Sequence, residues 1–277
     1  RQRQMCIRDR PTTNGHAYNA SSENYTAYNW KAGGGAGSSN TDGTLNTTTT
    51  SVNTAAGISI GTYTGEGGVK TVGHGLGKVP ALIMVKSRSH DIDWCIYHKG
   101  AASSPEDGSL TLNDGNGFDD NDNRWNDTAP TSSVFTIYSS NEVNDSGKTY
   151  VYYAFAEIEG FSKFGSYEGN NSTNGPFVNT GFTPAWVIFK HVDADGEWWW
   201  LLDNKRSWVQ PNTLVFYANS NTAEGTIGGS GAVDFLSNGF KIRSSSAEFN
   251  GAGVNNYWIA FAEFPFVSSN SKAGTAR

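Results

Sequence analysis

Hydrophobic residues along the chain fall in short stretches, and clusters of Gly, Asn, Ser and Thr separate these stretches. Some stretches alternate with polar residues, as in VFTIYSS at 134–140, whereas ALIMVK at 81–86 is a continuous apolar run after a proline. Alternation predicts a strand with one buried face, and a short continuous run predicts a strand buried on both faces. The sequence has no long apolar pattern with the period of a helix. We therefore predict an all-β fold with many short strands.

Most of these stretches occur twice, about 104 residues apart. The matching pairs are GISIGTYTG at 57–65 with FSKFGSYEG at 161–169, and VPALIMVK at 79–86 with TPAWVIFK at 183–190. At the same spacing Trp94 falls on Trp198, whereas Phe155 and Phe261 in the closing stretches lie 106 residues apart. A drift of two residues indicates a change in loop length. The pattern predicts two tandem β-sandwich or jelly-roll-like repeats that superpose strand for strand.

The start of the chain resembles the closing element of a repeat. NASSENYTAYNW at 19–30 is similar to the segments that begin at Asn144 and Asn250, so we expect a truncated third repeat at the N-terminus. The region 35–56 is rich in Gly, Ser and Thr, which is typical of a linker or a weak edge strand. The expected divisions are an adapter-derived artefact at 1–10, the last hairpin of a truncated repeat at 11–34, a linker at 35–56, repeats at 57–160 and 161–267, and a tail at 268–277.

The first ten residues, RQRQMCIRDR, resemble translated adapter sequence from the end of a metagenomic contig, so we leave them out of the fold prediction. Without their four arginines and one aspartate, the formal charge falls from −6 to −9. An acidic body with scattered lysines argues against nucleic acid as a partner. Cys95 is then the single cysteine, which excludes an internal disulfide. No apolar run is long enough to predict membrane insertion.

Motifs that resemble catalytic sites are incomplete. Ser59 is the centre of a G-x-S-x-G pattern at 57–61, but a nucleophile elbow needs a helix after the turn, and the sequence continues with strand-forming residues. Glu157 and Glu159 lie on one face of a predicted strand, whereas a glycosidase pair must flank a bond from two sides. Glu263 repeats Glu157, which favours a structural role. We therefore predict that the chain is not an enzyme.

Metal-binding and cofactor motifs are also incomplete. Residues 119–123 read DDNDN and open like a calcium-binding loop, but Arg124 replaces the required glycine and Pro130 the required glutamate. The five histidines are scattered without ligand spacing. The sequence predicts a solvated acidic loop, and no metal or cofactor.

Tryptophans provide the candidate binding residues. In the WWW run, Trp198 and Trp200 share one face of a strand, which we predict to be core, and Trp199 takes the other. Trp199 either packs on a neighbouring layer or is partly exposed. Trp208 and Trp125 lie in polar loops beside Asn and Asp, where exposed aromatic rings can stack on sugars, although loop tryptophans also fold back onto their own domain. The candidate ligand-binding residues are therefore Trp199, Trp208 and Trp125.

Several long segments, among them NWKAGGG, TVGHGLGKVPALIMVKSR, AFAEIEGFSKFGSYEGN, GPFVNTGFTPAWVIFK and FLSNGFKIR, carry a family resemblance. They resemble the C-terminal repeat region of tail-fibre-type virion proteins of marine tailed phages, and the resemblance covers nearly everything from Asn19 onward. It implies location in the virion, assembly into a homotrimer, contacts with other tail proteins and binding of host-surface glycans. It carries over no catalytic residue.

Two alternatives remain open at this point. The first alternative to a phage virion protein is a carbohydrate-binding or adhesin module of a bacterial surface protein. The second is the non-catalytic part of a polysaccharide depolymerase. Neighbouring genes for a terminase and a portal protein would favour the phage interpretation over both.

Overall fold

Antiparallel sheets make up nearly all of the secondary structure in the computed structural model, which describes residues 27–206, 210–227 and 232–262. The chain divides into a short unit, Arg1–Trp30, and a long unit, Lys31–Arg277. Of the short unit, the structure describes residues 27–30, which belong to no helix or strand. The expectations for residues 1–10, and for most of the hairpin at 19–30, lie outside the described residues. All described strands belong to the long unit.

A seven-stranded sheet and a two-stranded sheet form the first half of the long unit, residues 31–160. The order of the large sheet is β1 (Thr49–Asn53), β2 (Ile58–Thr64), β9 (Thr149–Phe155), β4 (Leu82–Ser87), β5 (Cys95–His98), β6 (Gly108–Thr111) and β7 (Asp119–Asp120). The small sheet pairs β3 (Lys70–Gly73) with β8 (Val134–Ile137), and a short 3-10 helix spans Pro105–Asp107. Residues 35–56, expected to be a linker or weak edge strand, contribute β1 and place Leu45 in the core.

The second half, residues 161–262, has the same arrangement. The order of its large sheet is β10 (Ser162–Glu168), β18 (Asn255–Ala262), β12 (Pro184–His191), β13 (Trp199–Asp203), β14 (Leu214–Tyr217) and β15 (Gly225–Thr226). The small sheet consists of β11 (Phe177–Asn179), β17 (Gly239–Ile242) and β16 (Val233–Leu236), and one helical turn, α1, spans Ala247–Asn250. From β2 and from β10 onward, the two large sheets follow the same order.

Each half has its own hydrophobic core between its large and small sheets. In the first half Val85 and Tyr152 of the large sheet pack with Phe135 of the small sheet, and in the second half Phe189 packs with Phe240, with ring centroids 5.2 Å apart. Side chains alternate along a strand, so these residues define the inner face of each large sheet. Each half is thus a two-layer sandwich, and the predicted all-β sandwich class is confirmed.

Two glycines that recur in the sequence let an aromatic ring lie flat against the strand. A Cβ at Gly61 would stand 2.4 Å from the ring of Tyr152, and a Cβ at Gly165 would stand 2.8 Å from the ring of Trp258. Both distances are too short for a side chain of any size. The glycine that ends the G-x-S-x-G pattern is therefore required by core packing.

A tyrosine and an asparagine tie each half together in the same way. The Tyr63 hydroxyl donates to the backbone oxygen of Val143 at 2.6 Å, and Tyr167 donates to that of Phe249 at 2.6 Å. The side chains of Asn144 and Asn250 are fully buried. Their amide groups bond the loop after β2 or β10, through Glu66 N and Gly68 O in the first half and Asn170 N and Ser172 O in the second. These ties close the end of each sandwich.

The pairing of the strands corrects one predicted match between residues of the two halves. Cys95 lies opposite Val85, and Trp200 lies opposite Phe189, so Cys95 and Trp200 are equivalent. The backbone amides of Trp94 and Trp199 support the same equivalence, because each donates to the side chain of an asparagine, Asn113 at 2.8 Å and Asn219 at 3.0 Å. The prediction that Trp94 superposes on Trp198 is wrong, because the chain from Phe189 to Trp200 is one residue longer than the equivalent chain from Val85 to Cys95. The repeat itself keeps its strand order.

Candidate functional site

The structure buries two of the three predicted ligand-binding tryptophans. Trp199 is 2% exposed, and its indole N–H donates to the backbone oxygen of Thr111 at 2.9 Å, so it packs against the first half. Trp125 is also 2% exposed, and its loop folds back so that the ring meets the edge of Tyr97 in the core. Neither ring has a free face for a sugar, which corrects the prediction for both. Trp208 lies outside the described residues.

The two halves pack through the outer faces of their large sheets, and we call this contact the seam. Phe155 and Phe261 meet there with ring centroids 5.9 Å apart. His98 stacks on Tyr257 at 5.3 Å with the rings nearly parallel. A strand that is apolar on both faces, such as β18, is typical of a sheet covered on both sides. The halves are therefore packed face to face.

His98 is held as a neutral imidazole in the seam. Burial lowers its pKa to about 4, although the hydrogen bond with the backbone oxygen of Trp258 opposes the shift. Its Nε2 lies 3.2 Å from that oxygen, and its Nδ1 accepts from the backbone N–H of Gly100 at 3.1 Å. The two contacts fit the tautomer with the proton on Nε2. A second proton on Nδ1 would face the N–H of Gly100, so protonation would weaken the seam.

Polar groups also bridge the seam. Lys190 has no exposed surface, and its Nζ donates to the backbone oxygens of Gly115 at 2.8 Å and Glu197 at 3.1 Å. Burial lowers the pKa of Lys190 to about 8, against the opposing effect of nearby carboxylates, chiefly that of Glu197. The side-chain amide of Asn219 donates to the backbone oxygen of Asp114 at 2.8 Å. These bonds fix the loops of the two halves side by side.

Trp198 is an exposed tryptophan next to this network. It precedes β13, its residue is 36% exposed, and its ring lies 5.1 Å from that of the half-buried Tyr217. The other exposed large apolar residues in the described part of the chain are Val69, Val79 and Phe177. We call Trp198 and Tyr217 the aromatic platform. The extra residue between Phe189 and Trp200 explains its exposure. It moves Trp200 into the core position of Cys95, which the sequence match had assigned to Trp199, and it leaves Trp198 in front of the strand.

Carboxylates border the aromatic platform. Burial, followed by the charge of Glu197, raises the pKa of Glu248, and burial together with Glu248 raises the pKa of Tyr217. The carboxylate of Glu197 also lies 3.4 Å from Nδ1 of His191. We call Glu197 and Glu248 the acidic rim.

The sequence contained a signal for the one-residue shift. The offset between the two halves rises from 104 residues at Val85 and Phe189 to 106 residues at Asn113 and Asn219. An offset of 105, which aligns Trp94 with Trp199, lies between these two values.

The other candidate groups have structural partners. Ser59 is fully buried on β2, with its Oγ 3.4 Å from the hydroxyl oxygen of Tyr152. A carboxylate oxygen of Glu157 accepts from Lys99 Nζ at 2.6 Å and from the backbone N–H of Phe164 at 3.1 Å. Within the described ranges, no group of three or more His, Cys, Asp or Glu side chains could hold a metal ion.

The fold defines a class of all-β proteins in which two sandwiches share a buried seam. The chain belongs to the family described as a domain of unknown function (DUF7483), whose model matches residues 7–265. Comparisons with curated proteins and with solved structures give no match. In the part of the chain that the structure describes, no helix has the length and apolar character needed to cross a membrane.

Proposed function

We propose that the chain is a structural protein of a phage tail or tail fibre, located in the virion, that contributes to binding host-surface glycans through the aromatic platform. The observation that carries the binding part is the exposed ring of Trp198 beside Tyr217. The phage part is supported by the segments that resemble tail-fibre-type virion proteins. The proposed assembly is a homotrimer in contact with other tail proteins.

An aromatic platform suits the chemistry of sugars. The C–H face of a pyranose packs on an aromatic ring, while neighbouring carboxylates accept hydrogen bonds from the hydroxyl groups. The acidic rim supplies such acceptors at Glu197 and Glu248, in a chain whose formal charge is −6. Negative charge repels sialylated, uronic or phosphorylated glycans. We therefore propose neutral sugars as ligands, bound weakly by each chain and more tightly by the trimer through effective concentration.

The binding test is a glycan array and a host-cell binding assay with the Trp198→Ala variant. Loss of a stacking ring is expected to weaken binding about tenfold, which corresponds to about 1.4 kcal/mol. Phe177→Ala is the matched control, because it removes another exposed aromatic ring of the second half. Melting curves should stay unchanged for both variants. Unchanged glycan binding by Trp198→Ala would remove the platform from the proposal.

The virion test is separate from the binding test. Terminase and portal genes beside the gene for this chain, followed by detection of the chain in purified particles by mass spectrometry, are the expected results. A neighbourhood of secretion or cell-wall genes would instead favour an adhesin or a carbohydrate-binding module, and would leave the platform experiment unaffected.

A further inference from the structure

A cleft of about 640 Å³ opens beside the seam, and both halves line it. The first half supplies Ala102, Ser103 and Phe118, and the second half supplies Asp193, Asn255 and Tyr257. Its volume falls within the range of about 300–1,000 Å³ that is typical of small-molecule sites. Neither residue of the aromatic platform lines it, so the cleft is a separate feature. It exists only where the two halves meet.

The walls of the cleft are held in place before any ligand arrives. The backbone N–H of Phe118 donates to the backbone oxygen of Val192 at 3.1 Å, which joins the wall of one half to that of the other. Asp193 accepts from the backbone N–H of Asn255 at 2.7 Å and from its side-chain amide at 3.2 Å. Preformed polar groups of this kind lose little conformational entropy when a ligand binds.

Tyr257 supplies a hydrogen-bonding group that the fold does not use. Its residue is 3% exposed and its ring is fixed by stacking on His98, yet its hydroxyl has no hydrogen-bond partner among the described residues and stays accessible from the cleft. A hydroxyl that opens into a cleft without a protein partner is available to a ligand. Burial, with the charge of Asp193, raises the pKa of Tyr257, so the phenol keeps its proton and remains a donor.

The polar groups of the cleft suit hydroxyl groups better than charged ones. Tyr257 offers a donor, Asp193 an acceptor and the side chain of Asn255 both, whereas none of the described residues that line the cleft is Lys or Arg. An anion would meet the Asp193 carboxylate without a compensating cation. We propose that this cleft binds a neutral polyhydroxylated small molecule of the size of one sugar ring. The half-buried ring of Phe118 provides the apolar contact that such a ligand uses on one face.

The test uses the full chain and nuclear magnetic resonance titrations with D-glucose, D-galactose, D-mannose and D-glucuronate. At about 50 mM sugar, well above the millimolar Kd expected for a weak site, at least one neutral sugar should shift the backbone signals of Ala101 and Ala102. Tyr257→Phe keeps the stacked ring and should weaken binding about two- to tenfold. Phe177→Ala removes an exposed ring outside both the cleft and the aromatic platform, so it is the matched control and should leave the Kd at the cleft unchanged.

Three outcomes would overturn the proposal. They are no shift at the cleft with any neutral sugar, binding of D-glucuronate as tight as that of the neutral sugars, or an unchanged Kd in a Tyr257→Phe variant that melts like the parent chain. If Tyr257→Phe lowers the melting temperature instead, Asn255→Ala replaces it, because this exposed side chain can be shortened without opening the core. Binding that disappears in Trp198→Ala, with no shift at Ala101, would assign the sugar to the aromatic platform alone.

Discussion

At the start of one equivalent strand, the first half has Asp93, Trp94 and Cys95 where the second half has Trp198, Trp199 and Trp200. Cys95 and Trp200 both lie in their cores. The outer-face position differs more, because Trp94 is half-buried against Tyr153 whereas Trp199 is buried in the seam. The residue before the outer-face position is Asp93 in the first half, where it accepts a hydrogen bond from Asn113. In the second half it is the exposed Trp198.

This comparison separates residues that hold the fold from residues that are free to specialise. The positions kept in both halves are those of the glycine-to-ring contacts, the tyrosine hydroxyl bonds and the buried asparagines, and all of them lie inside a sandwich. The aromatic platform and the cleft use residues that differ between the halves. Identity between the halves therefore points to structure, and the two proposed binding sites use positions at which the halves differ.

The largest expected effect tests which tryptophan lies in the core. Trp200→Ala should lower the free energy of unfolding by about 3–5 kcal/mol, because it removes a buried ring and leaves a cavity. At the equivalent position, Cys95→Ala removes one sulfur atom and should cost about 1 kcal/mol. Chemical denaturation followed by fluorescence measures both. An equally large loss for Trp198→Ala would support the sequence match, which placed Trp198 and Trp200 on the same core face.

The next effect is a loss of stability in acid that His98 should cause and that the equivalent position of the second half should not. The pKa of His98 is about 4 in the folded chain against 6.5 as its ordinary value, so the unfolded state takes up the proton first as the pH falls. Stability is then complete above pH 6.5 and declines between 6.5 and 4, by on the order of 3 kcal/mol in all. The equivalent residue in the second half is Asp203, which pairs with Arg206 at 2.5 Å.

The measurement for His98 is a set of denaturation curves from pH 7 to pH 4, compared with those of His98→Gln. The glutamine variant should be less stable at neutral pH and should lose less stability on acidification. Parallel curves for the two proteins across this range would contradict the assignment of the pH dependence to His98.

A smaller loss of stability, of equal size in the two halves, is expected when the equivalent tyrosines lose their hydroxyl groups. Tyr63→Phe and Tyr167→Phe each leave a buried backbone oxygen, that of Val143 or Phe249, without its donor. The expected loss is about 1–3 kcal/mol in each variant, because an unsatisfied buried acceptor bears its full desolvation penalty. Melting curves should show shifts of similar size. A loss in one variant only would mean that the two halves are not equivalent at this position.

The smallest effect separates the two outer-face tryptophans. Trp199→Phe removes the donor to the backbone oxygen of Thr111 and should cost about 0.5–1.5 kcal/mol. Trp94→Phe removes an indole that is half exposed and should change stability by less than about 0.5 kcal/mol. Thermal denaturation of the two variants side by side provides the measurement. Equal losses would contradict the burial of Trp199 in the seam.

Alternation and repeated segments were sufficient to predict the strands and the all-β class, because inner-face residues such as Tyr152 and Phe189 must recur with the period of a strand. The match at Trp198 failed because three consecutive tryptophans fit Trp94 in more than one register, and a shift of one residue exchanges the faces of a strand. The seam and the cleft depend on how two sandwiches pack together. Local sequence patterns carry no signal for that contact beyond the apolar outer face of β18.

The hairpin between β12 and β13 shows how one additional residue can change the surface of a repeat. Compared with the first half, it distributes three side chains among interior, contact and solvent, while the strands keep their hydrogen-bonded partners. A second additional residue lies between β13 and β14, as the pairing of Trp200 with Tyr217 and of Cys95 with Thr111 shows. A change in the length of these connections therefore alters which side chains a half presents at its surface and leaves its core positions filled.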